Sequence, residues 1–186
     1  MRCQHLFLAV ALAAVVACSG VKQDPAPPEG PPPAGWASYE TDDGAYQVWM
    51  PEGAETHEHQ EASIGGSMKL WFLFVNVPGE AMYMLGVATL PPGSIEKGSE
   101  DVFFNAFVKS EQRAASRTIT QFGKGKAGGK ATRWVEYEQE GGVVGQSRAL
   151  LDSGRSSVYS LTVFWNSSDG KPAHVDDYLR SFQSSE

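Results

Sequence analysis

The sequence predicts an α+β domain: an antiparallel β-sheet with a long central helix and a short C-terminal helix packed on it. Three observations lead there. Short runs of alternating or wholly apolar residues, separated by turns that contain Gly, Pro or Asp, recur from Trp36 to Trp165. One stretch, Gly98 to Ala115, interrupts them with helical spacing, and a second, Ala173 to Phe182, follows the last of them. Hairpins, a helix, a meander of strands and a closing helix segregate helices from strands instead of alternating them, so the sheet is antiparallel.

Each element has its own warrant. Trp36 to Thr41 and Tyr46 to Met50 alternate apolar and polar residues around Asp42-Asp43-Gly44, a turn of residues that tolerate positive φ. Pro51 ends this hairpin because proline cannot donate to a ladder. Met68 to Val77 and Met82 to Leu90 flank Pro78-Gly79-Glu80 as a second hairpin. Its run Leu70 to Val75 is apolar at every position, which predicts a strand covered on both faces. Pro91-Pro92-Gly93 then breaks the sheet. Gly98-Ser99-Glu100-Asp101 supplies an N-cap and acidic residues for the positive end of a helix, and Phe103, Ala106, Phe107 and Ser110 form its stripe, widened by Phe104 and Val108. Further strands are predicted at Arg117 to Phe122, Ala131 to Gln139, Val143 to Leu151 and Ser157 to Trp165, followed by a polar loop from Asn166 to Lys171. Pro172 suits the first turn of the closing helix.

The chain opens with Met1-Arg2 and an apolar run, Leu6 to Ala17, too short to cross a bilayer that needs roughly 20 such residues. It reads as a secretory signal over 1–17. Val15-Val16-Ala17-Cys18 resembles the lipobox of bacterial lipoproteins, with Val15 where Leu is commoner. The resemblance implies cleavage before Cys18 and its acylation, as by palmitate, so that membrane lipid is the first expected partner. Ser19 rather than Asp after Cys18 implies, by the same resemblance, the outer membrane of the cell envelope more than the inner. From Ser19 to Gly35 the chain holds almost no apolar bulk, and Pro25, Pro27, Pro28, Pro31, Pro32 and Pro33 favour extended polyproline II. The lipidated Cys and tether are thus assigned 18–35, and one α+β domain 36–186. At about 3.1 Å per residue such a tether reaches on the order of 50 Å.

Composition narrows the classes. Removing 1–17 takes away Arg2 alone among charged residues, so the formal charge moves from −7 to −8. Nucleic acid, which needs clustered cations, is not an expected partner. The densest basic cluster, Lys124, Lys126, Lys130 and Arg133, is broken by glycines and followed by Glu136, Glu138 and Glu140, and reads as a solvated turn and strand face. The two cysteines are Cys3, in the leader, and Cys18. With Cys18 acylated no thiol remains for a disulfide, a zinc site or a nucleophile. Stability must come from the core, which a domain of roughly 150 residues can build by burying about 70% of its unfolded surface.

Asp43-Gly44-Ala45-Tyr46-Gln47-Val48-Trp49-Met50-Pro51, the central helix and the ending Asp177-Tyr178-Leu179-Arg180-Ser181-Phe182 together resemble small secreted domains with a PsbP-like α/β/α sandwich. The resemblance spans most of Trp36 to Phe182. It implies a binding or assembly module rather than an enzyme, and it transfers no catalytic residues.

Several constellations invite a chemical reading. His57 and His59 are two apart in Glu55-Thr56-His57-Glu58-His59-Gln60-Glu61, so on a strand both imidazoles point to one face with Glu55 and Glu61, as metal ligands can. An exposed polar strand or loop is the plainer account. His174 with Asp176 or Asp177 offers a base and its orienter, but no Gly-x-Ser-x-Gly elbow accompanies them. Polar residues are in any case normal in a first helical turn. Gly123 to Gly129 lacks the Gly-Lys-Ser/Thr ending of a phosphate loop. Glu136, Glu138 and Glu140 alternate opposite Val135, Tyr137 and Gln139; paired acids can serve a glycosidase, and a solvated outer face explains them more simply. Trp36, Trp49, Trp71, Trp134 and Trp165 all fall on predicted strands and are expected mostly in the core. No catalytic set and no cofactor is therefore expected. The leading expectation is a lipid-anchored envelope protein whose non-catalytic domain binds a protein or small ligand. A divalent-metal protein or hydrolase using His57, His59 and nearby carboxylates is the alternative.

Overall fold

The computed structural model describes residues 26–63, 66–96, 98–113, 117–127 and 130–185. The expected leader, Cys18 and the tether as far as Pro25 lie outside the described residues.

The first hairpin joins β1 (Trp36–Glu40) to β2 (Tyr46–Pro51). Gly44 takes φ 65°, and Asp43 accepts from the Ala45 amide at 3.1 Å and the Thr41 hydroxyl at 2.6 Å. Strands β3 (Glu55–Ser63) and β4 (Gly66–Val77) follow, then β5 (Ala81–Thr89). The β4–β5 turn has Pro78 second, Gly79 third at φ 74°, and Glu80 N–H donating to the Val77 carbonyl at 3.0 Å. Those are the demands of a type II turn, met by residues that suit each place.

Helix α1 (Glu100–Arg113) carries the chain across to the far edge of the sheet, where β6 (Thr118–Ala127), β7 (Lys130–Gln139), β8 (Val143–Asp152) and β9 (Ser157–Asn166) form a meander. A 3-10 turn (Ser167–Asp169), helix α2 (Val175–Ser181) and the two-residue β10 (Gln183–Ser184) close the chain. The large sheet has the order β3-β4-β5-β9-β8-β7-β6 and the small one β1-β2-β10, all pairs antiparallel.

The expected α+β architecture with a long central helix is thereby overturned. The chain is mostly β, in one seven-stranded and one three-stranded sheet, and its helices have 14 and 7 residues. Two strands account for the difference. β3 has no apolar alternation and is exposed from Glu55 to Glu61, so it exists because β4 supplies a complete antiparallel ladder. β6 continues past Phe122 through the glycines to Ala127, because Gly123 leaves room for the Trp134 ring, 2.6 Å from where a Cβ would stand. The helix stripe is also rotated: Phe104 is buried, Phe103, Phe107 and Val108 are half-buried, and Ala106 and Ser110 face solvent.

The main core lies on one face of the large sheet. Trp71, Leu73 and Val75 of β4, Tyr83, Leu85 and Val87 of β5, and Tyr159, Leu161 and Val163 of β9 pack against Tyr46, Val48 and Met50 of the small sheet and Val175, Tyr178 and Leu179 of α2. Tyr178 is pinned by its hydroxyl, which donates to the Met84 carbonyl at 2.5 Å, and Ser181 Oγ accepts the Trp49 amide at 2.9 Å. A fully buried aromatic with its polar tip satisfied contributes apolar area without an orphan donor. A second, smaller core on the opposite face joins Phe104 to Ala149 and Leu151, with Ile95, Phe103, Phe107, Ala131 and Val158 around it.

Candidate functional site

The opposite face of the large sheet is covered unequally, and that inequality forms the site. Helix α1 packs on β6, β7 and β8. Register places the remaining half in four rows: Leu70, Ala88 and Val158; Phe72, Gly86 and Ser160; Phe74, Met84 and Thr162; Asn76, Met82 and Phe164. Leu70, Phe72, Phe74, Met84 and Phe164 are half-buried, Met82 is 37% exposed, and none of the six belongs to either core cluster. The wholly apolar run 70–75, expected to be covered on both faces, is therefore buried through Trp71, Leu73 and Val75 and only half-buried through Leu70, Phe72 and Phe74. Gly86 and Ser160 give the middle row a low floor, since a Cβ on Gly86 would meet Ser160 Oγ at 2.8 Å and the Phe72 ring at 3.3 Å. The result is a trough between α1 and the β3 edge.

That edge supplies the polar border. Opposite Phe74, Phe72, Leu70 and Met68 stand Glu55, His57, His59 and Glu61, all on the trough's face of the sheet. The His57 ring stacks on Phe74 at 5.7 Å and His59 Nε2 lies 3.5 Å from Glu61. Among the described residues no three His, Cys, Asp or Glu side chains converge as metal ligands would. Glu58 points to the other face and pairs with Lys69 at 2.7 Å.

At the far end Arg117 overhangs the rings of Tyr137 and Phe164, 4.4 and 5.3 Å from their centroids, and bonds Glu111 of α1. Burial pushes the Glu111 carboxyl up, against the pull of Arg117. Burial likewise raises the Tyr137 hydroxyl to about 12.

A second polar feature lies beyond the first turn of α1. A cleft of about 470 Å³ is lined by Glu100, Asp101, Lys130, Arg133 and Asp152, and four of these charges pair within it: Arg133 with Asp101, Lys130 with Asp152 at 2.7 Å. Arg133 also lies over the Phe104 ring at 4.6 Å. The basic cluster expected to be a solvated face is thus partly structural, with Arg133 buried and Lys124 3.4 Å from Asp101. Behind the cleft, Asp152 accepts from Tyr46 Oη at 2.9 Å and Asp43 from Tyr159 Oη at 2.7 Å, tying the small sheet to the large one. Burial opposes charge on both carboxyls. It is outweighed at Asp43 by the bonds from Thr41, Tyr159 and Ala45, and at Asp152 by those from Lys130 and Tyr46, so both stay below the usual carboxylate range.

The other sequence candidates are dispersed. His174 Nδ1 is 3.1 Å from Asp177 and its ring meets Trp36 edge-on at 5.4 Å, while Asp176 pairs with Lys171 at 2.7 Å. Glu136 accepts from Gln146 Nε2 at 2.7 Å and Glu138 is exposed. Glu140 lies in the turn after β7, and register puts Trp134 on the same face as Glu136. All five tryptophans are on strands; Trp49, Trp71 and Trp165 are buried, and Trp36 and Trp134 are half-buried. Sequence reasoning missed the trough because an unbroken apolar run cannot say which of its faces is covered. It missed the Asp43–Tyr159 and Tyr46–Asp152 pairs because their members are more than a hundred positions apart.

Among the described residues no helix is long and apolar enough to cross a membrane. No protein-family model and no curated protein matches the chain. Among solved structures it is similar to cyanobacterial PsbP (CyanoP) from Synechocystis sp. PCC 6803, with TM-score 0.55 and 14% identity over 84% of this chain and 96% of that one. A protein of unknown function from Pseudomonas aeruginosa, PA94, described as a putative regulator, matches at TM-score 0.36 and 10% identity over 72% of this chain and 85% of that one. The likeness to CyanoP is one of fold alone, and at that level the expected PsbP-like arrangement is found.

Proposed function

We propose that the chain is a lipid-anchored protein of the bacterial cell envelope whose domain is a non-catalytic binding module, held by an acylated Cys18 at the outer membrane and using the trough as its binding face. One observation carries the binding reading: Leu70, Phe72, Phe74, Met82, Met84 and Phe164 lie together on one sheet face, outside both core clusters, with Met82 exposed. Contiguous exposed apolar surface rimmed by polar residues marks interaction sites, and Met-rich surfaces adapt to their partners. The dispersal of His57, His174 and the alternating glutamates into separate local pairings supports a module that binds without reacting. The lipobox-like Val15-Val16-Ala17-Cys18 and the proline tether support the anchor. Two or more acyl chains, at about 0.8 kcal/mol per buried methylene, make such attachment effectively stable.

Two measurements test this. Metabolic labelling with a fatty acid is expected in the wild type and lost in Cys18→Ser; label persisting in that variant refutes the anchor. A photo-crosslinking amino acid at Met82 or Met84 is expected to give discrete adducts in cells, and at Glu138, on the other face, none. Equal adducts at all three positions, or none at the first two, refute the binding face.

A further inference from the structure

We infer that the trough takes a cationic amphipathic helix: a partner segment with an apolar stripe and Lys or Arg along its flank. The inference rests on the binding-face reading and gives that face a ligand class. Size is the first argument. Neighbouring strands are about 4.8 Å apart, so β4, β5 and β9 leave roughly 10–14 Å between the β3 border and the strands under α1. A helix with its side chains is about 10–12 Å across. The rows from Leu70 to Asn76 run about 20 Å along the strands, enough for a helical segment of about 14 residues.

Charge is the second argument. On this face β3 contributes Glu55, His57, His59 and Glu61; β4 contributes Met68, Leu70, Phe72, Phe74 and Asn76; β5 and β9 contribute no charged residue. Neither Lys nor Arg stands among them. Arg117, at the far end, is bonded to Glu111. A helix lying on the apolar rows therefore meets the carboxylates of Glu55 and Glu61 along one flank, which attract a cationic edge and repel an anionic one. The same border disfavours an anionic lipid surface.

The test uses the full chain in phosphatidylcholine nanodiscs, with empty discs as blank. The probes are an 18-residue amphipathic Leu/Lys peptide carrying a photoreactive leucine and its Leu/Glu counterpart. The Lys peptide is expected to bind, to cross-link within residues 70–86, and to lose at least tenfold in affinity in Met82→Asp and in the exposed pair Glu55→Lys with Glu61→Lys. That pair is expected to gain the Glu peptide. Should both peptides bind the wild type alike, with Met82→Asp weakening both, the ligand class is wrong and the binding face stands. Should neither bind while Met82 still forms adducts in cells, the helix inference alone fails. Absence of both signals removes the inference and the face together.

Discussion

Asp152→Ala tests whether the two sheets are held together by their buried polar pairs. Asp152 is 4% exposed and accepts from Tyr46 Oη at 2.9 Å, Lys130 Nζ at 2.7 Å and the Gly154 amide at 3.2 Å. Truncation orphans a tyrosine hydroxyl that is itself buried, costing about 1–3 kcal/mol. Lys130 is part-exposed and returns to water, so its pairing contributes at most about 1 kcal/mol. The turn amide adds about 1 kcal/mol. The expected loss is about 3 kcal/mol, which in a domain of this size lowers Tm by roughly 6–12 °C. Urea unfolding followed by tryptophan fluorescence measures it. A double-mutant cycle isolates the cause: Tyr46→Phe removes the orphan, so the double variant should be less destabilised than the sum of the singles by about 1 kcal/mol. A loss below about 1 kcal/mol, or strict additivity, would refute the reasoning.

Acid should act in two directions on the same fold. Asp43 and Asp152 have depressed pKa values, so the stability they contribute is complete above their ordinary value of 3.8 and is lost as pH falls through the folded values. Glu111 is raised above its ordinary 4.5, so its ionisation opposes folding, and stability gains as pH falls through its folded value. The melting temperature should therefore pass through a maximum between the two regions, and Glu111→Gln should flatten the upper limb alone; a monotonic profile in the wild type contradicts the assignment. Gly145→Ala should cost about 1–3 kcal/mol by overpacking, because its Cβ would lie 2.4 Å from the ring of fully buried Tyr137. Gly123→Ala, against the half-buried Trp134 at 2.6 Å, should cost less because that ring can swing outward. Equal chemical-denaturation midpoints for the two variants would show that the ring over Gly145 is free to move.

Turn chemistry makes much of the fold legible in the sequence. Asp42-Asp43-Gly44 and Pro78-Gly79-Glu80 each name a turn in residues whose φ preferences leave few choices, and both hairpins stand where those residues put them. The predicted meander is present as well, with strand ends within a few residues except at β6. What could not be read was the balance of layers. β3 has no periodicity to detect, since a strand exposed on both faces has no reason to alternate. Phe103 and Phe107 suggested a helix central to the core, whereas the residue that anchors it is Phe104, buried against Ala149 and Leu151. His57 and His59 could be placed on one face by parity, but their partners Phe72 and Leu70 come from ladder pairing, which sequence spacing does not contain.

The open trough follows from arithmetic that neither sheet nor helix can escape. Seven strands at about 4.8 Å make a sheet roughly 30 Å wide, and one helix about 10 Å across cannot roof it. On the core face the chain solves this with three more strands and α2 together. On the other face it has α1, which sits on β6, β7 and β8 and leaves β4, β5 and the Phe164 end of β9 outside the second core. A sequence without a binding role could make the bare half polar, as antiparallel sheets with one wet face commonly do. This one places Phe72, Phe74, Met82, Met84 and Phe164 there, and of the strands in that half only β3 brings charge to the face. The uncovered width is dictated by geometry; the apolar side chains filling it are a choice of sequence, and that choice argues for an occupant.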